Sequence, residues 1–328
     1  MKKHRQWLLW LLILIALAVL GVAYYYGTKG QQEEKRASYS LVLYQNTDDE
    51  WATLAEGAAQ AEEDLKVDVN YVYLSPEDSA REQAGAVKRE IENGASGILL
   101  AAVDSEGVAA ALKEVSSQVP VICVETGAGE NFPVIRSDDY EMGKALGEKI
   151  LKDMDRRGGD RTVTVLAEFM ERDSVKLRYQ GLRAALDAAK EKVTVNELTR
   201  DRREQALSAF LRSMLPDCGR YIAALDKYAT EQAADAWVAS RSEYEKHGSS
   251  FWIYGIGSTA ATVNDLDNEN IAALVYQNEF SMGYQGISAL VEKRQKSWID
   301  QNIDIRHHLV TKESLYEKEH ERLLFSNT

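Results

Sequence analysis

Residues 37–145 alternate between short apolar runs and longer stretches in which apolar residues recur every three or four positions. The apolar runs span 40–45, 67–74, 97–102 and 120–124. Each run has the length and composition of a strand buried on both faces, and the stretches between them predict amphipathic helices. Such alternation is typical of a parallel sheet covered by helices on both faces. Because ligands bind at the carboxyl ends of the strands in these sheets, the polar residues that follow each strand are candidate ligand contacts.

The same rhythm continues from about Asp139 and predicts a second lobe of the same α/β class. Its predicted strands span 162–167, 192–198, 221–225, 251–256 and 271–276, with a final strand over 304–310. In the helix predicted over 280–291, Gly283 and Gly286 indicate close packing against a neighbour. The charged stretch 314–324 predicts a terminal helix that faces solvent. The two halves share this rhythm without a sequence repeat.

The N-terminal segment predicts a membrane anchor. Residues 1–6 are basic, and Trp7–Tyr26 contains 20 residues without a charge, enough for a helix to cross a bilayer core of about 30 Å. The basic flank predicts that residues after Tyr26 lie outside the cytoplasm. A cleaved signal peptide is the alternative, since residues 21–23 are small enough for a cleavage site. No cysteine follows the apolar run, which argues against a lipid-modified N-terminus.

The charge distribution argues against a nucleic-acid partner. The formal net charge is −13, and the six cations and two acids of residues 1–36 leave −17 on the remainder. Phosphate contacts need clustered lysine and arginine, which an acidic body does not supply. The two cysteines, Cys123 in an apolar strand and Cys218 in a loop, fit no metal motif and are interpreted as structural thiols, with a disulfide between them as the alternative.

Motifs for catalysis or a cofactor are weak in this sequence. Residues 255–260 fit GxGxxA after a predicted strand, which could bind a pyrophosphate, but the motif comes late in the chain and on the extracytoplasmic side. The sequence contains neither HExxH nor GxSxG. We therefore expect no metal, no cofactor and no enzymatic activity, with an enzyme that uses the cleft as the lesser hypothesis.

Several local motifs, in order, resemble the type 1 periplasmic sugar-binding proteins, the group of ribose and galactose binders that share a fold with LacI-type ligand domains. They cover residues 38–310 and comprise 54–58, 94–100, 119–125, 137–143, 178–182, 254–257 and 276–277. The resemblance implies two doubly wound lobes joined by three hinge crossings near 138–139, 277–278 and 305–308. The implied division is 1–36 as tip, anchor and linker, 37–138 plus 278–306 as the first lobe, and 139–277 plus 307–328 as the second.

The resemblance also implies a set of ligand contacts in the cleft. Trp51 corresponds to the aromatic ring that stacks on the sugar, and Arg178 to the family's arginine. The other corresponding positions are Asp48, Glu125, Thr126 and Gln277. Tyr44, Arg200 and Tyr228 are further candidates because they lie at element ends. The chain departs from the family at Leu225, where an asparagine is usual, and at Gly257, where an aspartate holds sugar hydroxyls, so we expect a ligand other than ribose.

The function predicted from these features is a membrane-anchored extracytoplasmic solute-binding protein for a sugar or sugar-like ligand. Its two possible partners are an ABC permease, which would receive the ligand, and a membrane histidine kinase, which would sense the closed form. The alternative is a sensory accessory subunit of a two-component system with no role in transport. A scaffold that has lost its ligand is a further hypothesis, suggested by Leu225 and Gly257.

Overall fold

The computed structural model describes Trp7 and residues 14–23, 36–44, 50–75, 78–113, 118–198, 206–295 and 302–325. Contacts divide the chain into two compact units, residues 1–37 and residues 38–328. In the first unit, Trp7 and residues 14–23 are helical, and the rest of the predicted anchor lies outside the described residues. Among the described residues, no helix combines the length and the apolar character that crossing a bilayer requires.

The first lobe contains a six-stranded parallel sheet in the order β11-β5-β4-β3-β1-β2. Its elements are β1 (Ser38–Leu43), α1 (Ala52–Leu65), β2 (Asp68–Tyr73), α2 (Ala80–Glu92), β3 (Ile98–Leu100), α3 (Ser105–Leu112), β4 (Val121–Val124), β5 (Val134–Arg136), α9 (Glu279–Gln295) and β11 (Ile303–Asp304). The central strands are buried on both faces, as their continuous apolar sequences predict. The three-residue strand β5 was not predicted, because so short a run has no readable periodicity.

The second lobe repeats this topology with the strand order β12-β10-β9-β8-β6-β7. Its elements are α4 (Asp139–Arg157), β6 (Thr162–Leu166), α5 (Asp173–Asp187), β7 (Thr194–Leu198), α6 (Leu207–Met214), a 3₁₀ turn (Leu215–Asp217), β8 (Tyr221–Ala224), α7 (Lys227–Lys246), β9 (Trp252–Ile256), α8 (Ala260–Asp267), β10 (Ala273–Gln277), β12 (His307–Val310) and α10 (Lys318–Leu324). All neighbours are parallel except β12, which runs antiparallel to β10. The predicted α/β fold with two parallel-sheet lobes is confirmed.

The chain passes between the two sheets three times. The first passage lies between β5 and α4, the second between β10 and α9, and the third between β11 and β12. The prediction of a single final strand over 304–310 is wrong, because β11 and β12 belong to different sheets and Ile305 is buried between them. A strand of two residues is too short to show an alternation of apolar and polar positions, so the sequence does not reveal that β11 and β12 are separate strands.

The C-terminal segment packs more closely than its charge predicts. Leu315 is fully buried in the core of the second lobe. The imidazole Nδ1 of His320, on α10, lies 2.7 Å from the hydroxyl of Tyr276. The expectation of a solvent-facing helix is therefore wrong for one face of α10, where a buried histidine pairs with a core tyrosine.

Candidate functional site

The predicted contacts converge at the carboxyl ends of strands in both sheets. Tyr44 follows β1 and Glu125 follows β4 in the first lobe, while Arg178 lies on α5, the helix that follows β6 in the second. Glu125 adopts a left-handed backbone with φ of 64°, a conformation that is uncommon for a residue other than glycine. Asp48 and Arg200 lie outside the described residues.

Arg178 forms a buried ion-pair network across the lobe boundary. Its Nε donates to Asp139 Oδ1 at 2.7 Å, and its Nη2 donates to Glu125 Oε1 at 2.8 Å. Its Nη1 donates to the carbonyl oxygen of Leu225 at 3.3 Å. The side chain is only 2% exposed. The planar guanidinium thus holds an acid from each lobe in a fixed geometry.

Glu125 and Tyr44 complete this network on the side of the first lobe. The Tyr44 hydroxyl donates to Glu125 Oε2 at 2.7 Å. Burial opposes ionisation of Glu125, but the Arg178 charge and the Tyr44 hydrogen bond offset it and hold the pKa of this carboxyl below its ordinary value. Burial, together with the charge of Glu125, raises the pKa of Tyr44 well above 10. Glu125 is therefore an anion and Tyr44 a neutral donor at neutral pH.

Trp51 belongs to an aromatic cluster beside these charges. Its indole Nε1 donates to the carbonyl oxygen of Tyr44 at 2.8 Å, and the two rings meet edge to face with centroids 4.9 Å apart. The guanidinium of Arg172 lies over two aromatic rings, 3.6 Å from the centroid of Tyr44 and 3.9 Å from the centroid of Phe169. The cluster supplies flat apolar surface within a charged site.

Lys227 makes a second ionic contact across the lobe boundary. It is the first residue of α7, and its ammonium donates to the carbonyl oxygen of Glu50 at 2.6 Å and pairs with Glu279 Oε1 at 2.8 Å. It also lies 4.9 Å from the Trp51 centroid. Lys227 therefore joins the second lobe to both α9 and the turn before α1.

Thr126 takes part in a third contact between the lobes. Its hydroxyl donates to Asp173 Oδ1 at 2.7 Å, and the same oxygen accepts from the backbone N–H of Gly127 at 2.8 Å. Arg136 donates to the other oxygen, Asp173 Oδ2, at 2.7 Å. The Ser105 hydroxyl accepts from the backbone N–H of Asp173 at 2.9 Å. The first turn of α5 is thus bound to three segments of the first lobe.

The remaining predicted residues lie near the passages and strand ends. Gln277 Oε1 accepts from the backbone N–H of Ser137 at 3.1 Å, which links the first passage to the second. Tyr228 follows Lys227 and packs edge to face against Phe169, with centroids 6.1 Å apart. Gly257 has a φ of 138°, a backbone conformation that a side chain rarely adopts.

A cavity of about 990 Å³ lies along the same boundary. Its lining includes Ser105, Gly127 and Arg136 from the first lobe and Asp173 and Lys176 from the second. None of the eight predicted residues that the structure describes is among the lining residues. The cavity thus borders the Thr126–Asp173 contact and not the Arg178 network.

Sequence reasoning missed several charged residues at this boundary. They are Glu50, Asp139, Arg172, Asp226, Lys227 and Glu279. Most of them are next to a predicted strand end or passage, and this position could have identified them as candidates for the site. Their charge could not, because acidic and basic residues at the ends of helices and strands are usually solvated.

A known protein family matches most of the chain. Residues 39–296 match the model of the periplasmic binding protein domain. The chain belongs to the periplasmic binding protein family. The sequence resemblance to type 1 periplasmic sugar-binding proteins is confirmed. The sequence has no match among curated proteins.

Solved structures of other binding proteins share the fold of this family member. A carbohydrate transporter solute binding protein from Agrobacterium radiobacter, in complex with D-arabinose, has a TM-score of 0.78 at 18% identity and covers 88% of this chain and 99% of its own. An ABC transporter solute binding protein from Agrobacterium vitis, bound with α-D-tagatopyranose, has the same TM-score at 15% identity, with 88% and 99% covered. A glucose-galactose binding protein from Geobacillus stearothermophilus has a TM-score of 0.72 at 19% identity, with 86% and 100% covered.

Proposed function

We propose that this family member is an extracytoplasmic solute-binding protein that encloses a sugar or sugar-like ligand between its two lobes. The observation that carries the proposal is the buried contact of Arg178 in one lobe with Glu125 in the other, at the carboxyl ends of two parallel sheets. A ligand that touches both lobes favours their closed arrangement, because it binds that arrangement better than the open one.

The proposed ligand contacts have the chemistry that sugars require. Arg178 has a rigid fork of N–H donors that suits vicinal hydroxyls, and a sugar would replace its present contacts with Glu125 and the Leu225 carbonyl oxygen. Tyr44 and Trp51 have apolar rings, and a sugar face would lie against them in place of the Arg172 and Lys227 side chains that cover them here. We propose Asp48 and Gln277 as further hydrogen-bonding contacts of the ligand, and Thr126, Arg200, Tyr228 and Gly257 as additional candidate contacts. The sugars bound by structural relatives support this class, while Leu225 and Gly257 favour a ligand other than ribose.

We further propose the domain division expected from the sequence, with residues 37–138 plus 278–306 as one lobe and 139–277 plus 307–328 as the other. The membership of the strands in two sheets supports this division. The segment Trp7–Tyr26 would hold the body on the extracytoplasmic face as a single-pass anchor. Deletion of residues 7–26 should release the protein from washed membranes, whereas the full chain should remain in the membrane fraction.

The partner is either an ABC permease or a membrane histidine kinase. The transporter context of the structural relatives favours the permease, and an anchor in place of a lipid favours the kinase. The two outputs separate in cells, because deletion of the gene abolishes ligand uptake in one case and a ligand-dependent transcriptional response in the other.

The binding function is tested by a thermal-shift and calorimetric screen of the full chain in detergent against sugars. A ligand at 100 times its dissociation constant adds about 2.7 kcal/mol to the free energy of unfolding, which raises the melting temperature measurably. Arg178→Ala should abolish the shift. The matched control is Arg183→Ala on the same helix, which removes only a surface pair with Asp187. Full affinity in Arg178→Ala would show that the site is assigned wrongly.

A further inference from the structure

Three buried carboxylates in the cleft, Glu50, Asp139 and Asp226, each have an oxygen without a hydrogen-bond partner, and that of Asp139 lies 3.5 Å from Arg136 Nη1 in an ion pair. Glu50 Oε2 and Asp226 Oδ2 are both inaccessible to solvent, and neither accepts a hydrogen bond within the part of the chain that the structure describes. The side chains belong to opposite lobes, and Lys227 connects them because it follows Asp226 and binds the Glu50 carbonyl oxygen. Buried carboxylate oxygens are rarely left without donors, so a missing donor is expected here.

The charges around these two acids do not balance. Arg178 pairs with Glu125 and Asp139, and Lys227 pairs with Glu279. With Arg172, and with Arg136 between Asp139 and Asp173, the described cleft has four cations against six acids, because Glu50 and Asp226 add to the four paired carboxylates. The other Asp226 oxygen, Oδ1, is used to cap α7 through the backbone N–H of Ala229 at 2.8 Å. The two surplus acids are thus Glu50 and Asp226, each of which has an unpartnered oxygen.

We propose that the ligand is an amino sugar whose ammonium group is held between Glu50 and Asp226. This inference rests on the proposed binding function and names the ligand class. An ammonium carries three donors and a positive charge, so it satisfies the unpartnered oxygens of both acids and removes part of the charge imbalance. A uronate or a sugar phosphate would add a further anion to a site with surplus acids, so we expect each to bind more weakly than the corresponding neutral sugar.

The surroundings of the two acids link this binding to proton release. Burial raises the pKa of Glu50 to about 8, against the opposing charges of Lys227 and Arg172 and with the support of Asp226 and Glu125. Burial also raises the pKa of Asp226 to about 6, against the Ala229 N–H, Arg172 and Arg178 and with the support of Glu168. A bound ammonium favours the ionised form of each acid, so binding near pH 7 should release a proton, mainly from Glu50.

The test compares matched pairs of sugars by calorimetry on the full chain in detergent. The pairs are glucosamine with glucose, galactosamine with galactose, and mannosamine with mannose, with glucuronate and glucose 6-phosphate as anionic probes. At about pH 6.5, where the amino group of the sugar is an ammonium, the preferred amino sugar should bind about tenfold more tightly than its neutral partner, since charge-assisted hydrogen bonds are about twice as strong as neutral ones. Its heat of binding should vary with the ionisation enthalpy of the buffer, in the sense of proton release.

Three variants locate the effect. Glu50→Gln and Asp226→Asn should each reduce the preference for the amino sugar to about threefold or less, and Glu50→Gln should also abolish the proton release. Asparagine can still cap α7, so Asp226→Asn retains the fold. Glu148→Gln changes an exposed glutamate on α4 and should leave the preference unchanged.

The outcomes separate this inference from the proposed function. Equal or tighter binding of the neutral sugars would overturn the amino-sugar assignment and leave sugar binding intact. A preference that survives both Glu50→Gln and Asp226→Asn would also overturn it, because the ammonium would then lie elsewhere. Failure of every sugar in the panel to bind would refute the proposed function and this inference together.

Discussion

Replacing Gly143 by alanine is expected to separate α4 from α5. A Cβ atom at Gly143 would lie 1.9 Å from the carbonyl oxygen of Arg178 and 2.6 Å from its carbonyl carbon. Ordinary contact requires about 3.5 Å, so the two helices would have to move apart by about 1.5 Å. The opposing atoms are backbone and cannot rotate away, which places the cost near the upper end for overpacking, about 3 kcal/mol.

Equilibrium unfolding in urea measures this cost, and Gly85→Ala is the matched control. Gly85 lies within α2, where the nearest atom to an added Cβ is the side-chain nitrogen Nη1 of Arg89 at 3.7 Å. Alanine is the better helix former, so this control should gain up to about 1 kcal/mol. Because the Gly143 contact is with the backbone of Arg178 itself, Gly143→Ala should also weaken ligand binding. A Gly143→Ala variant within about 0.5 kcal/mol of the wild type would refute this account of the helix contact.

Two further variants test the electrostatics and the capping of the first lobe. In Glu50→Gln, the gain in the free energy of unfolding over the wild type should grow with pH. Burial raises the Glu50 pKa from 4.5 to about 8. Wild-type stability therefore falls as the pH rises through that range, by at most about 5 kcal/mol. Urea titrations at about pH 5, 7 and 8.5 measure the difference in free energy of unfolding between the variant and the wild type, and a difference that stays constant with pH would contradict this account. Ser79→Ala removes the side chain that caps α2 in a reciprocal pair with Glu82 and should cost about 1 kcal/mol by the same assay, whereas an unchanged midpoint would show that the cap adds nothing.

The fold could be predicted because each strand and helix carries its own local pattern. The apolar runs gave the central strands to within a few residues, and the glycines of α9 correctly indicated close packing, since a Cβ at Gly283 would lie 2.0 Å from the carbonyl oxygen of Leu54. The shortest elements could not be predicted. Strands β5 and β11 have three and two residues, too few for a period to appear.

The partners of the cleft residues could not be predicted from local pattern. Arg178 and Glu125 are 53 residues apart, and their contact depends on how two lobes meet. Gln277 was expected near ligand, and its amide oxygen accepts a backbone hydrogen bond from Ser137. The importance of Glu50 follows from an oxygen that lacks a donor, which is a property of the folded surroundings and not of the sequence around it.

Packing within the second lobe determines the contact between the lobes. Cβ atoms at Gly143 and Gly181 would each lie 1.9 Å from a carbonyl oxygen of the facing helix, so α4 and α5 touch through their backbones. This approach brings Arg178 beside Asp139, in the first turn of α4, and that ion pair fixes the guanidinium so that its Nη2 reaches Glu125 in the other lobe. A buried ion pair adds little net stability, but an arrangement that leaves one partner buried without the other costs about 3 to 5 kcal/mol. The small residues between α4 and α5 therefore select the arrangement in which the two lobes meet, and substitutions there should alter closure before they alter the fold.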